Sequence, residues 1–280
     1  MISVIAQSQA SNAGVTGPSL TGDVAFTIAA GDIIEVQALI QATQTVTVTD
    51  TSSTGNSFSV QGTPLVQSSQ QLNTFVCTAP ATGTYTVEVT SGGNNVYAFL
   101  AKQIRGAASS GTVVGISSAF QAGPGSGANA IASGNVALGA SPINALLSGF
   151  CINLQSGGIA TAGTSPLAYT GDTAVWATYG SGTACCLPEH LRVASTTGNV
   201  QATFGGSAVQ FNNIMSVLVA YLEAAATGGI QPAAGSLSLA GVAGRIGIGL
   251  TPHTAKVRDT VKRLTRKYFI PNLAKPSFAF

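Results

Sequence analysis

LNTFVCTAPATGTYTVEVTSGGNNVYAFLAKQI (Leu72–Ile104) holds two strands and the turn between them. Tyr85, Val87 and Val89 alternate with Thr and Glu, the period of a strand with one buried face. Gly92-Gly93-Asn94-Asn95 supplies residues that accept turn geometry. Val96, Ala98 and Leu100 then begin a second apolar run.

The same grammar extends to both sides. VAFTIAAGDIIEVQALIQ (24–41) holds two runs divided by Ala-Gly-Asp. TQTVTVTDTSSTGNSFSVQG (43–62) alternates through Val46 and Val48, turns at Ser-Thr-Gly-Asn, and resumes at Phe58 and Val60. β-Branched and aromatic residues at period two, punctuated by Gly and Asn, predict an all-β chain of antiparallel sheets packed as a sandwich or jelly roll. The second half repeats the order of features. Residues 81–111 and 196–229 each run from a Thr-Gly turn through an alternating strand and a Gly-Gly turn to an apolar strand closing in Ala and Gly. Two tandem β-sandwich domains of one type follow.

The predicted organisation is an N-terminal arm (1–18), domain 1 (19–106), a Gly/Ser-rich linker (107–130) with a strand through Val113, Val114 and Ile116 as the alternative, domain 2 (131–230), a second linker (231–250) and a C-terminal segment (251–280). In the last, Thr251-Pro252 is an N-cap and N1 pair. Val257, Val261, Leu264 and Tyr268 then form one helical stripe, with Arg258, Lys262, Arg266 and Lys267 on other faces and Phe269 and Ile270 beyond. This is a basic amphipathic helix followed by an extended docking peptide.

Charge is the outlier. Asp, Glu, Lys and Arg make up 7% of 280 residues, against about 25% in a typical soluble domain. From Met1 to Gly244 three cations face eight acids, net −5; from Arg245 to Phe280 eight cations face one acid, net +7. So little charge suits a surface covered by sister copies, and the asymmetry marks residues 251–280 as an interaction segment. A docking element on another protein accounts for both stripe and terminal peptide. Contact with nucleic acid or with a membrane surface is the competing reading. The N-terminus lacks a basic n-region and sustained apolar run, so no secretory signal is expected. No stretch reaches the roughly 18 apolar residues of a membrane span.

Catalytic signatures are missing from the sequence. It contains no G-x-S-x-G, H-E-x-x-H or Walker A pattern, so no enzyme activity, catalytic residue, cofactor or metal is expected. His190 reads as a surface loop residue, and its neighbour Glu189 would point to the other face of a strand. His253 reads as cap-proximal in the C-terminal helix. Asp50 and Asp172 read as turn residues bonding backbone amides. Cys77, Cys151, Cys185 and Cys186 read as buried thiols, with a bridge from Cys151 to Cys185 or Cys186 as the alternative. Trp176 reads as core, or with Tyr179 as a glycan-stacking pair.

Residues 31–106 resemble β-sandwich domains of tailed-bacteriophage virion proteins. Those domains pair a V-T-D-T-x-G-N turn, here Val48–Asn56 with extra Ser and Thr, with a G-T-x-T-V-x-V strand, here Gly83–Val89. The resemblance implies a structural or adhesive subunit assembled in the host cytoplasm, with sister copies and other virion proteins as partners. A tandem jelly-roll capsid subunit and a carbohydrate-binding host-attachment module are the alternatives.

Overall fold

A computed structural model describes residues 1–12, 17–22, 25–41, 44–51, 56–67, 69–93, 95–108, 113–121, 127–154, 160–179, 182–206 and 214–225. These form an all-β structure, and Met1–Gly229 make one compact unit. The first half contains β1 (Ser3–Ser11), β2 (Ser19–Thr21), β3 (Phe26–Ile28), β4 (Ile33–Gln41), β5 (Val46–Asp50), β6 (Ser59–Gln67), β7 (Gln70–Thr78), β8 (Gly83–Tyr85), β9 (Val87–Ser91) and β10 (Val96–Arg105). The second contains β11 (Val113–Gln121), β12 (Gly127–Ala132), β13 (Val136–Ala137), β14 (Ile143–Asn153), β15 (Ala160–Ala162), β16 (Thr170–Gly171), β17 (Val175–Tyr179), β18 (Gly182–Thr196), β19 (Asn199–Val200), β20 (Thr203–Gly206) and β21 (Ile214–Leu222). The pairings are antiparallel.

Both halves use one connectivity. The large sheets run β1-β10-β4-β7-β6 and β11-β21-β14-β18-β16, with β17 also pairing β18. The small sheets run β2-β9-β5 and β3-β8 in the first half, β12-β20-β15 and β13-β19 in the second. The central strands β4, β10, β14 and β21 are buried along nearly their whole length. Their sequences are accordingly near-continuous apolar runs, as strands covered on both faces require.

Alternation then sorts each strand between two cores. Ile34, Val36, Ala38 and Ile40 of β4 join Phe99 and Ala101 of β10 in a cluster with Tyr85, Val87, Val89 and Val48 of the small sheets. Ile33, Leu39, Leu100 and Ile104 turn the other way and cluster with Leu146, Phe150, Ile152, Val217 and Val219 of the second large sheet. That sheet turns Leu147, Cys151, Leu218 and Ala220 toward Ile131, Val136 and Phe204. Each large apolar side chain fully buried this way contributes about 1.5–3 kcal/mol, so the shared cluster binds the halves together.

Two stretches read as connectors carry strands. Residues 1–18 include β1, paired with β10 from Ser3↔Arg105 to Ser11↔Ala98. Residues 107–130 carry β11, paired with β21, and the start of β12. The small residues there serve close approach rather than flexibility: a Cβ on Gly115 would come within 2.6 Å of Val136 Cγ1. The predicted linker 231–250 and C-terminal segment 251–280 lie outside the described residues. Among the described residues no helix is long and apolar enough to cross a membrane.

Candidate functional site

Strand alternation also decides which polar groups meet between the large sheets. Glu35 and Gln37 share the inward face of β4 with Ile33 and Leu39, and Lys102 shares that of β10 with Leu100 and Ile104. Ser148 lies between Leu146 and Phe150 on β14, and Tyr221 follows Val219 on β21. All five are 0–1% exposed. Groups so placed cost several kcal/mol each unless hydrogen-bonded.

Here they are bonded to one another. Thr74 Oγ1 donates to Gln37 Oε1 at 2.8 Å, and Gln37 Nε2 donates to Glu35 Oε1 at 3.2 Å. Ser148 Oγ donates to Glu35 Oε1 at 2.9 Å, and Tyr221 OH donates to Glu35 Oε2 at 2.6 Å. Lys102 Nζ donates to Ser148 Oγ at 3.1 Å and to the Glu189 carbonyl at 2.9 Å. It also forms an ion pair with Asp172 Oδ2 at 3.1 Å. Asp172 Oδ1 is 2.8 Å from His190 Nδ1, a contact that fits the tautomer carrying its proton on Nδ1. A polar seam thus runs from Thr74 to His190, crossing from one large sheet to the other.

The backbone fixes its members. Lys102 pairs directly with Glu35 across β10 and β4. Thr170 and Gly171 pair with His190 and Glu189, and Asp172 N donates to the Pro188 carbonyl at 2.9 Å. Burial pushes the Asp172 carboxyl up, but the His190 hydrogen bond and Lys102 charge outweigh it and hold the group below the usual range. Burial and the Glu35 carboxylate push the Tyr221 hydroxyl well above its ordinary value.

The far face of the second sheet carries one buried carboxyl. Glu189 is fully buried; its Oε2 accepts from Gly163 N at 3.0 Å, and Oε1 has no hydrogen-bond partner among the described residues. Burial pushes this carboxyl from the usual 4.5 up to about 8, against the Gly163 hydrogen bond and the Lys102 charge.

Chemically, Lys102 and Ser148 have the spacing of a base and a hydroxyl nucleophile, but they are sealed between sheets. The pocket at the β6–β11 edge, about 160 Å³ and lined by Gln61, Leu72, Thr74, Ile116 and Val217, does not include them. Toward solvent the seam emerges at His190, which is 26% exposed. Among the described residues no group of three or more His, Cys, Asp or Glu is placed to hold a metal.

Several sequence expectations change. His190 is a strand residue bonded to Asp172 rather than a loop residue, and Asp172 holds Lys102 and His190 with its carboxylate rather than turn amides. Asp50 does bond a backbone amide, Thr86 N at 3.1 Å, and its Oδ2 accepts from Asn56 Nδ2. Trp176 is 45% exposed, not core: Val175 and Ala177 take the inward face of β17, so alternation turns Trp176 outward. Tyr179 pairs with Gly182 at the end of the same hairpin. The four cysteines are free and buried. Burial pushes Cys77 up to about 11 and raises Cys151, Cys185 and Cys186, which leaves inert thiols. Val257, Arg258, Val261, Lys262, Leu264, Arg266, Lys267, Tyr268, Phe269 and Ile270, with His253, lie outside the described residues.

Sequence reasoning missed Glu35, Lys102, Ser148 and Tyr221. Their signal was a charged residue in phase with apolar neighbours on a wholly buried strand, as in FLAKQI (99–104). No protein-family model, curated protein or solved structure matches the chain.

Proposed function

We propose that the chain is a non-enzymatic structural subunit of a virus particle, built from two jelly rolls joined through their large sheets. The strand order supports the jelly-roll reading. In each half the first and last strands are neighbours in the large sheet, β1-β10 and β11-β21, while the strands between them pass back and forth between the large and small sheets.

The observation that carries the assembly reading is where the charge sits. Lys102, Arg105 and Arg192, the described cations, pair with Asp172, Asp32 and Glu223 at 3.1, 2.8 and 2.7 Å. No acidic residue among those described is exposed. The described cations are thus each paired within the body and its described acids are at most half-exposed, leaving a surface with little charge to resist contact between copies.

Deleting residues 251–280 is expected to leave a folded body that no longer joins the particle, read by circular dichroism and by the protein content of purified particles. Normal incorporation of the truncated chain would overturn the anchoring role. A full chain that sediments as a monomer at tens of micromolar would overturn the assembly reading. A second reading rests on Trp176, whose exposed ring suits stacking on a sugar. Glycan binding lost in Trp176→Ala would favour a host-attachment module.

A further inference from the structure

The contact between Lys102 and Asp172 has the geometry of a condensation. We propose that these side chains join as an intramolecular isopeptide amide, a covalent tie between the large sheets of the two halves.

Nζ lies 3.1 Å from Oδ2, which holds the amine beside the carboxyl group whose Cγ it attacks. The side chains are only 1% and 7% exposed, so their charges are held where desolvation costs most. The amide is neutral and removes that cost, so burial favours product over reactants. Scarce water also protects the product from hydrolysis.

The surrounding groups fit the proton movements. In the resting pair Nζ is an ammonium and Asp172 a carboxylate. One proton passes from Nζ to Oδ2 along their contact, leaving a neutral amine and acid. The Nζ lone pair attacks Cγ, while His190 Nδ1 holds Oδ1, the oxygen that stays as the amide carbonyl. The second proton leaves Nζ through Ser148 Oγ to Glu35 Oε1, 3.1 and 2.9 Å along the relay, and returns to the departing oxygen. The Nζ–Cγ bond forms, Cγ–Oδ2 breaks, and one water leaves past His190. One ammonium and one carboxylate become one amide and one water, with no oxidant or reductant.

The mass of the full-length chain under denaturing, reducing conditions tests this directly. The expected wild-type mass is one water below that of its sequence, while Lys102→Met and Asp172→Ala match theirs, with N-terminal processing common to all three. Trypsin should fail to cut after Lys102 in the wild type, and the peptide bearing it should be joined to the one bearing Asp172. Followed by mass from refolding onward, Glu35→Gln should form the bond about 100-fold more slowly; a wild-type rate would overturn the relay. A wild-type chain at its full sequence mass after prolonged incubation, cut after Lys102 as in Asp172→Ala, overturns the cross-link. That measurement needs no variant to fold and is independent of whether the chain joins a particle.

Discussion

Glu35 and Glu189 are both sealed from solvent on opposite sides of the second half's large sheet, yet they are stabilised in different ways. Glu35, on the side facing the first half, accepts hydrogen bonds from Gln37, Ser148 and Tyr221. Glu189, on the far side, accepts one from Gly163 and keeps an oxygen without a hydrogen-bond partner among the described residues. Burial is nearly equal, so the difference lies in the hydrogen-bond partners each carboxyl finds. The facing side spreads its polar groups over both halves, and its seam therefore specifies how the sheets meet. The far side carries a residue whose ionisation works against the fold.

The strongest way to break this contrast is to remove the seam's only cation. Lys102→Met removes the ammonium of the uncondensed pair and prevents the cross-link, leaving the buried Asp172 carboxylate uncompensated, which should cost about 3–5 kcal/mol in chemical denaturation. Lys102→Met combined with Asp172→Asn removes both charges and should recover part of the loss. If the single variant loses only about 1 kcal/mol, the value of an exposed pair, the seam does not hold the halves.

The next effect belongs to pH. Above about 4.5 the unfolded Glu189 releases its proton, while the folded group keeps it until about 8. The folded state therefore binds more protons across that window, and stability falls as pH rises through it. Asp32 acts in the opposite sense, as does Asp172 until it condenses with Lys102. Their folded carboxyls are held low, Asp32 by Arg105 and the Ala29 amide against burial, so their contribution is present above the unfolded range and lost in acid. Thermal midpoints should therefore peak at mildly acidic pH. Glu189→Gln should flatten the decline between about 4.5 and 8; an unchanged slope in that variant would assign the decline to another group.

Much of the fold was legible because it rests on period and punctuation. β8, β9 and β10 lie where the alternation and Gly-Gly-Asn-Asn turn of 83–104 put them, and β19, β20 and β21 fall in the stretch matched to it. The seam was less legible because it is a matter of register between distant strands. That Lys102 meets Asp172, and Glu35 meets Ser148 and Tyr221, depends on how the halves pack. The Gly-rich stretch 107–130 was open to two readings, a linker or a strand through Val113, Val114 and Ile116, because composition cannot separate a glycine that frees a chain from one that lets two strands touch. Trp176 shows the same limit. Period two places it opposite Val175 and Ala177, but only the edge position of β17 leaves that side uncovered.

Gly149 tests the far side from below. It pairs with Glu189 across β14 and β18, and a Cβ there would come within 2.8 Å of Glu189 Cγ and 2.9 Å of Ala202 Cβ. Gly149→Ala should cost about 1–3 kcal/mol through overpacking. With Glu189→Gln in the background the Cγ clash persists, so the loss should stay. Recovery would mean that charge rather than space set the cost.

The smallest effect should come from Trp176, at the margin of the same sheet. Its ring is on the outward side of β17, away from the inward cluster that holds Val175 and Ala177. Trp176→Ala should therefore change stability by no more than about 0.5 kcal/mol, the range of exposed substitutions away from special features. Ala177→Asp, one residue on, inserts an unpaired charge into the facing cluster and should be strongly destabilising. Equal losses at the two positions, read by urea denaturation, would mean that the sides of this strand are not divided as its period requires.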